Sequence, residues 1–287
     1  MEGIGSTFQW RKPSFITAHL LNGTWFGNLT NAHDIEEGDQ SAYFGLIGSH
    51  CDLNTLKIYQ YMYPRRFIIV RATQNIIEYA SKVSVKNTTV LVFDVDHLDQ
   101  QHNYMVFDDR FKNNFHAQRL RRQTPKRKTN DLWVSIHFRW GDVKTTDVDK
   151  PNVRAGLGLT DYCQCVNEIL SMAPSTKVFL FAEGLKDASR ACTLLESRSI
   201  FVSTDSQSWR RDIDIMSQSQ LLIGGSSSFF VLGAHLCQNC TVIHNSAIKF
   251  SKSSYEKNLN VNQVELLCQS DLQCYLEKIK NYMSKRS

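Results

Sequence analysis

The stretch Leu132-Trp133-Val134-Ser135-Ile136-His137-Phe138-Arg139-Trp140-Gly141-Asp142 decides how this chain folds. Its first five residues, apolar, aromatic and β-branched, predict a strand, and Gly141 permits a sharp exit. An imidazole, a guanidinium and a carboxylate (His137, Arg139 and Asp142) then stand at the strand's carboxyl end. In a parallel sheet that end faces the crevice where open α/β folds hold ligands, and an arginine there suits a diphosphate. A satisfied core histidine beside an Arg139–Asp142 pair would account for the same residues without a ligand.

Downstream, strand and helix patterns alternate at short intervals. Thr160 is placed to cap a helix with Tyr162, Cys165, Val166, Ile169 and Ala173 on one face. Lys177–Ala182, Ser199–Ser203, Gln220–Gly224 and Thr241–His244 read as strands, with Leu185–Ser197, Asp212–Ser219 and Phe229–Leu236 as helices between them. This βαβαβ rhythm predicts a parallel sheet with helices on both faces, a Rossmann-like domain. Upstream, Phe15–Leu20, Tyr43–Ile47, Phe67–Arg71 and Thr89–Asp94 are candidate strands and Gln74–Val83 a candidate helix, so a second α/β domain is the economical reading. The expected organisation is an acceptor-side α/β domain over 1–117, a basic linker or loop over 118–130, a Rossmann-like domain over 131–255 and carboxyl-terminal helices over 256–287. Ser270-Asp271-Leu272-Gln273 has the form of a capping box opening the last helix, whose face of Leu272, Leu276, Ile279 and Met283 must pack on the body.

With 287 residues, 42% hydrophobic and 21% charged, the chain has the composition of a globular protein with room for two domains. Thirty-three basic against 28 acidic residues, a net +5, is too mild a charge for nucleic-acid binding over the whole surface. The basic run Gln118–Lys128 contains Pro125 and no interleaved aromatics, so it reads as a solvated loop. No stretch approaches the roughly 18 apolar residues of a membrane span, and Met1–Lys12 lacks the apolar core of a secretory signal. A cytoplasmic protein is expected; a luminal domain separated from its anchor would read the same way, and the sequons at Asn22, Asn28, Asn87 and Asn239 fit either. Of the eight cysteines, Cys163 and Cys165 lie two apart on a predicted helix and point to different faces. Cys237-x-x-Cys240 has the spacing of half a zinc site or a redox pair, but no second pair accompanies it, so buried structural thiols are expected.

A second constellation follows along the chain. Asp212-Ile213-Asp214-Ile215-Met216-Ser217 opens it, an apolar strand comes next, and then Gly224-Gly225-Ser226-Ser227-Ser228-Phe229 starts a new helix. Backbone N–H groups at that helix start are unpaired and carry the positive end of its dipole, serine hydroxyls can donate to phosphate, and the glycines admit a ligand to the backbone. A serine acting as a plain N-cap would equally serve the junction.

His137-x-Arg139-x-Gly141-Asp142 resembles the signature of the fucosyltransferase superfamily of GT-B glycosyltransferases, the α1,2-, α1,6- and protein O-fucosyltransferase type. Asp214, Met216-Ser217, Ser227-Ser228-Phe229 and Gly233-Ala234 are similar to a second motif of that superfamily, in the same order. Gly27-Asn28 matches the end of its glycine-rich turn, although Trp25 and Phe26 depart from the usual glycines and Val231-Leu232 replaces an aromatic pair. The resemblance implies two Rossmann-like domains with parallel sheets facing a cleft, and inverting, metal-independent transfer of a sugar to a glycan hydroxyl without a further cofactor. The donor would be GDP-fucose first, or a UDP-sugar such as UDP-xylose. Arg139 would neutralise the diphosphate, with Ser226, Ser227, Ser228 and Phe229 beside it, Gly27 and Asn28 approaching the donor, and Asp212 or Asp214 on the base or ribose. Asp142 ranks first as base, ahead of His137; Glu183, after the Lys177–Ala182 strand, also points toward the expected cleft. Two rival readings stand beside this one. Asp94-x-Asp96 could hold a metal in a GT-A glycosyltransferase or a phosphatase, although Leu98 stands where the phosphatase motif wants Thr or Val and Asp147-x-Asp149 and Asp212-x-Asp214 repeat the pattern. A non-catalytic protein that binds nucleotide sugars or glycans would keep the clamp and lack the base.

Overall fold

The structure, a computed structural model, describes residues 61–62, 67–70, 90–93, 109–139, 156–182, 200–203, 209–225, 227–245, 264–268 and 271–286. The chain divides into two compact units that part between Arg122 and Gln123. In the first, β1 (Phe67–Val70) and β2 (Val90–Phe93) pair in parallel, with Phe67 opposite Val90 and Val70 opposite Phe93. The same unit contains α1 (Asp109–Leu120), which buries Phe115 and His116. This helix runs into the stretch that the sequence reads as linker, so Gln118–Leu120 are helical and irregular chain begins at Arg121. Two of the basic side chains there, Arg119 and Arg122, lie back on the helix. Arg119 Nε donates to His116 Nδ1 (3.3 Å), one turn earlier, and the Arg122 guanidinium sits 5.4 Å from the centre of the Phe115 ring.

The second unit is built on six parallel strands. In chain order its elements are β3 (Trp133–His137), α2 (Leu159–Met172), β4 (Lys177–Phe181), β5 (Ile200–Ser203), α3 (Trp209–Met216), β6 (Leu221–Gly224), α4 (Ser228–Leu236), β7 (Thr241–Asn245), β8 (Val264–Cys268) and α5 (Leu272–Ser284). The strand order is β5-β4-β3-β6-β7-β8. Val134, Ile136, Val178, Leu180, Leu221, Ile223 and Ile243 pack in one core with Leu159, Tyr162, Val166 and Ile169 of α2 and Tyr275, Ile279 and Met283 of α5. The opposite face meets α3 and its continuation, where Ser135 and Ser219 hydroxyls hydrogen-bond at 2.7 Å. Burial on both faces explains why these strands are continuous apolar runs rather than alternating ones. The α/β reading of this half, with a parallel sheet between helices, is therefore observed. The predicted face of the last helix packs against α2 as well.

Differences are local and have physical causes. Helix α2 begins at Leu159 behind an extended Gly158, whose carbonyl accepts the Tyr162 N–H (3.1 Å), so Thr160 lies inside the first turn rather than capping it. Helix α3 starts at Trp209, earlier than read. Strand β8 is a sheet edge with exposed Val264 and Leu267 and a buried Cys268, and its short sequence carries no strong period. The cap of α5 is Asp271, not Ser270: its carboxylate accepts from Gln273 N (3.3 Å) and Cys274 N (3.1 Å). Chain from Gln123 onward belongs to the second unit, where Gln218 Oε1 accepts from Arg127 N (3.1 Å) and Gln218 Nε2 donates to the Pro125 carbonyl (3.0 Å). The candidate elements Phe15–Leu20, Tyr43–Ile47, Gln74–Val83 and Leu185–Ser197 lie outside the described residues. The six described cysteines are reduced thiols, five of them buried, as expected of structural cysteines.

Loss of the two cap bonds gives a direct check on this end of the fold. Asp271→Ala is expected to lower stability by about 1 kcal/mol in urea unfolding, and Ser270→Ala to leave it unchanged.

Candidate anion site at the sheet switch point

From β3 the chain builds the sheet outward in one direction through β4 and β5, and from β6 in the other through β7 and β8. Between β3 and β6, connections leave toward opposite sides, which is the point at which open α/β sheets take ligands at the carboxyl ends of their strands. Strand register puts His137 level with Phe181 on one side and Gly224 on the other. The Phe138 N–H still donates to the Phe181 carbonyl (2.8 Å), so Arg139 is the first residue past the ladder. Its Nη1 donates to Ser227 Oγ at 3.4 Å, a contact that spans the switch point from the end of β3 to the start of α4. Ser227 is the N-cap of α4 in extended conformation, but its hydroxyl makes no side-chain cap bond to its own helix. The helix start therefore keeps its positive end for something other than Ser227.

His137 is buried beside this contact, with its ring 5.6 Å from that of Phe229 and 6.3 Å from that of Phe230. Burial first, and the Arg139 charge second, hold the imidazole pKa down to about 3. The ring is neutral at ordinary pH and a poor proton acceptor. Its Nδ1 meets no hydrogen-bonding partner among the described residues. The guanidinium thus carries the positive charge of this edge while His137 is a polar, uncharged neighbour. Gly224 gives Phe230 its place, since a Cβ there would stand 2.7 Å from the Phe230 ring.

Of the residues singled out in the sequence, His137, Arg139, Ser227 and Phe229 are brought together. Ser228 begins α4. Asp212 and Asp214 lie within α3, and Asp214 is fully buried, so it presents no surface to a base or ribose. Gly27, Asn28, Asp142, Glu183 and Ser226 lie outside the described residues, as does the Ser228 side chain. Sequence reasoning missed Tyr275, whose hydroxyl donates to the Gly224 carbonyl (3.0 Å), and Gly156, which has a φ of 86°. The closely spaced Gly156 and Gly158 were a usable signal; Tyr275 looks like any core residue of an amphipathic helix. Among the described residues no group of three or more His, Cys, Asp or Glu is placed to hold a metal ion, and no helix is long and apolar enough to cross a membrane.

No protein-family model matches the chain, and no curated protein matches it in sequence. In fold it is similar to POFUT1 in complex with GDP-fucose, at 10% identity over 93% of this chain and 95% of that one, with a TM-score of 0.46. It is similar to NodZ α-1,6-fucosyltransferase soaked with GDP-fucose, at 12% identity over 86% of this chain and 92% of that one, with a TM-score of 0.41. A third similar structure is the E. coli heptosyltransferase WaaC with ADP-2-deoxy-2-fluoro heptose, at 12% identity, 75% of this chain and a TM-score of 0.42; the chain spans 57% of that protein.

The protonation of His137 makes the site's burial measurable. A histidine that resists protonation when folded contributes stability that is complete above its unfolded pKa of 6.5 and is lost as pH falls toward 3. Replacing it by a non-titrating residue, His137→Gln, is expected to remove a slope of about 1.4 kcal/mol per pH unit from the unfolding free energy across that window. Urea titrations of both proteins between pH 7 and pH 4 measure the difference.

Proposed function

We propose that this chain is a GT-B glycosyltransferase of the fucosyltransferase type, which takes the diphosphate of a nucleotide-sugar donor at the switch point of its second unit. The Arg139–Ser227 contact carries the reading: a guanidinium after β3 and a hydroxyl at the helix start after β6 meet at 3.4 Å. His137 is neutral, and the positive end of the α4 dipole adds to the charge of Arg139. A guanidinium binds phosphate oxygens bidentately, and donors already in position cost no reorganisation as charge develops on the leaving diphosphate. The resemblance of His137-x-Arg139-x-Gly141-Asp142 and Ser227-Ser228-Phe229 to the superfamily's motifs supports the same chemistry.

The reaction proposed is inverting transfer to a glycan hydroxyl, without a metal. The acceptor oxygen attacks the anomeric carbon as the bond to the diphosphate breaks; the diphosphate leaves onto Arg139, Ser227 and the amide groups of α4. Asp142 takes the acceptor proton. A neutral His137 with so low a basicity suits hydrogen bonding to the donor better than proton abstraction. The acceptor belongs to the first unit in this reading. GDP-fucose ranks ahead of a UDP-sugar on the motifs alone.

A thermal-shift panel of GDP, UDP and their sugars tests the reading. The nucleotide that binds is expected to stabilise the protein by about 2.7 kcal/mol at 100-fold its Kd. Arg139→Ala is expected to lower transfer by about 10²- to 10³-fold, and Arg139→Lys to restore little, because an ammonium lacks the planar fork. Transfer, read as nucleotide release, is expected to be insensitive to EDTA; loss of turnover on chelation would favour the metal-dependent rival. Tight nucleotide binding with no release on any acceptor would favour the binding protein.

A further inference from the structure

Behind the Gly224–Gly225 turn, a line of buried hydroxyls leads to the carboxyl-terminal helix. Tyr275 of α5 is fully buried and gives its hydroxyl proton to the Gly224 carbonyl at 3.0 Å. The same hydroxyl is hydrogen-bonded to that of Tyr162 on α2, and the two rings cross edge to face at 86° with centroids 6.3 Å apart. Tyr162 is also hydrogen-bonded to the Leu157 backbone. A phenol has one proton to donate. With Tyr275 donating to Gly224, the consistent direction has Leu157 N–H donating to Tyr162 and Tyr162 donating to Tyr275. Burial pushes both phenols far above their ordinary range, so neither gives up its proton at any working pH.

Gly156 closes the arrangement. At its φ of 86° a side chain is already strained, and a Cβ would stand 2.9 Å from the Tyr162 hydroxyl, 3.0 Å from Gly225 Cα and 3.1 Å from the Tyr275 hydroxyl. The backbone ahead of α2, the backbone after β6 and two phenols thus meet at one point, next to the residues that lead into Ser227. Ile279 and Met283, further along α5, fill the same core with apolar side chains.

We infer that Tyr275, supported by Tyr162 and Gly156, is a positioning residue that fixes the Gly224–Gly225 turn and through it the place of Ser227 and the start of α4 relative to Arg139. The inference rests on the reading of that edge as a diphosphate site. The last helix of the chain, far from β3 in sequence, then determines how well the anion site is formed. Tyr275 does not touch the ligand in this account; it acts through the backbone of the turn.

Tyr275→Phe keeps the ring and removes the donor. Amide hydrogen exchange is read at Gly225–Val231 and, for reference, at Val134–Ile136 and Val242–Ile243, alongside the Kd for GDP and for UDP. Exchange at Gly225–Val231 is expected to quicken about five- to tenfold, the factor one neutral hydrogen bond supplies, with the reference strands unchanged. Affinity for whichever nucleotide the wild-type protein binds is expected to fall by a similar factor. Unchanged exchange at the turn, or an equal rise over the whole sheet, would overturn the positioning role. Should Tyr275→Phe not fold, Tyr162→Phe reads the same turn one hydroxyl further away, with the same outcomes deciding. Binding of neither nucleotide by the wild-type protein would sink the diphosphate reading, while exchange alone would still decide what Tyr275 does.

Discussion

Everything at this edge follows from the pairing of β3 with β6. The register that sets His137 level with Gly224 places the residue after one strand and the turn after the other side by side. Parallel strands separated in sequence can be neighbours only if their connections cross over the sheet, and the gap between diverging crossovers is where open α/β sheets take ligands. Arg139 and Ser227 reach across that gap because each is close to the end of its ladder. A one-residue slip would turn Ile136 and Ile223 out of the core and carry Arg139 to the other face. The buried apolar faces of β3 and β6 therefore hold the guanidinium in place.

Charge at the edge is simple for a related reason. Taking an imidazolium out of water next to a guanidinium is unfavourable on two counts, burial and like charge, so His137 stays neutral and the positive charge stays on Arg139. An arginine keeps its charge at every pH a protein meets, and its weak hydration makes partial burial tolerable. In the proposed reading, a diphosphate at this edge would meet the Arg139 guanidinium and the positive end of the α4 dipole, both already in place. That is the condition under which electrostatic stabilisation of a leaving group costs least.

How far the site could be read from the sequence depended on whether each contribution was local. The β3 to β7 strands were legible because each is a short apolar run bounded by polar or glycine residues, and the start of α4 because glycines and serines mark a strand-to-helix junction. The pairing of Arg139 with Ser227 was foreseeable only through the motif order, since no local pattern reports which strands are neighbours. Tyr275 was invisible: its partner, the Gly224 carbonyl, is a backbone atom distant in sequence. Cap positions failed by a residue or two where two candidates stood together, Ser270 beside Asp271 and Thr160 after Gly158. The edge strand β8 failed because, half exposed, it shows neither a core run nor a clean alternation.

The placement of α4 shows why glycine, rather than another small residue, stands where it does. Gly224 on β6 accepts the Phe230 ring so closely that a Cβ would stand 2.7 Å from it, and Gly233 on α4 lies so near α3 that a Cβ would stand 3.0 Å from Met216 Cβ. The helix is thus pressed against the sheet near its start and against α3 near its end, with no methyl-sized slack at either. Close-packed contacts of this kind transmit displacement rather than absorb it. A methyl group at either glycine would lever the start of α4 away from β3, and the 3.4 Å contact between Arg139 and Ser227 would lengthen first. The closeness of Arg139 to Ser227 is in this sense a product of two absent side chains, one on β6 and one on α4.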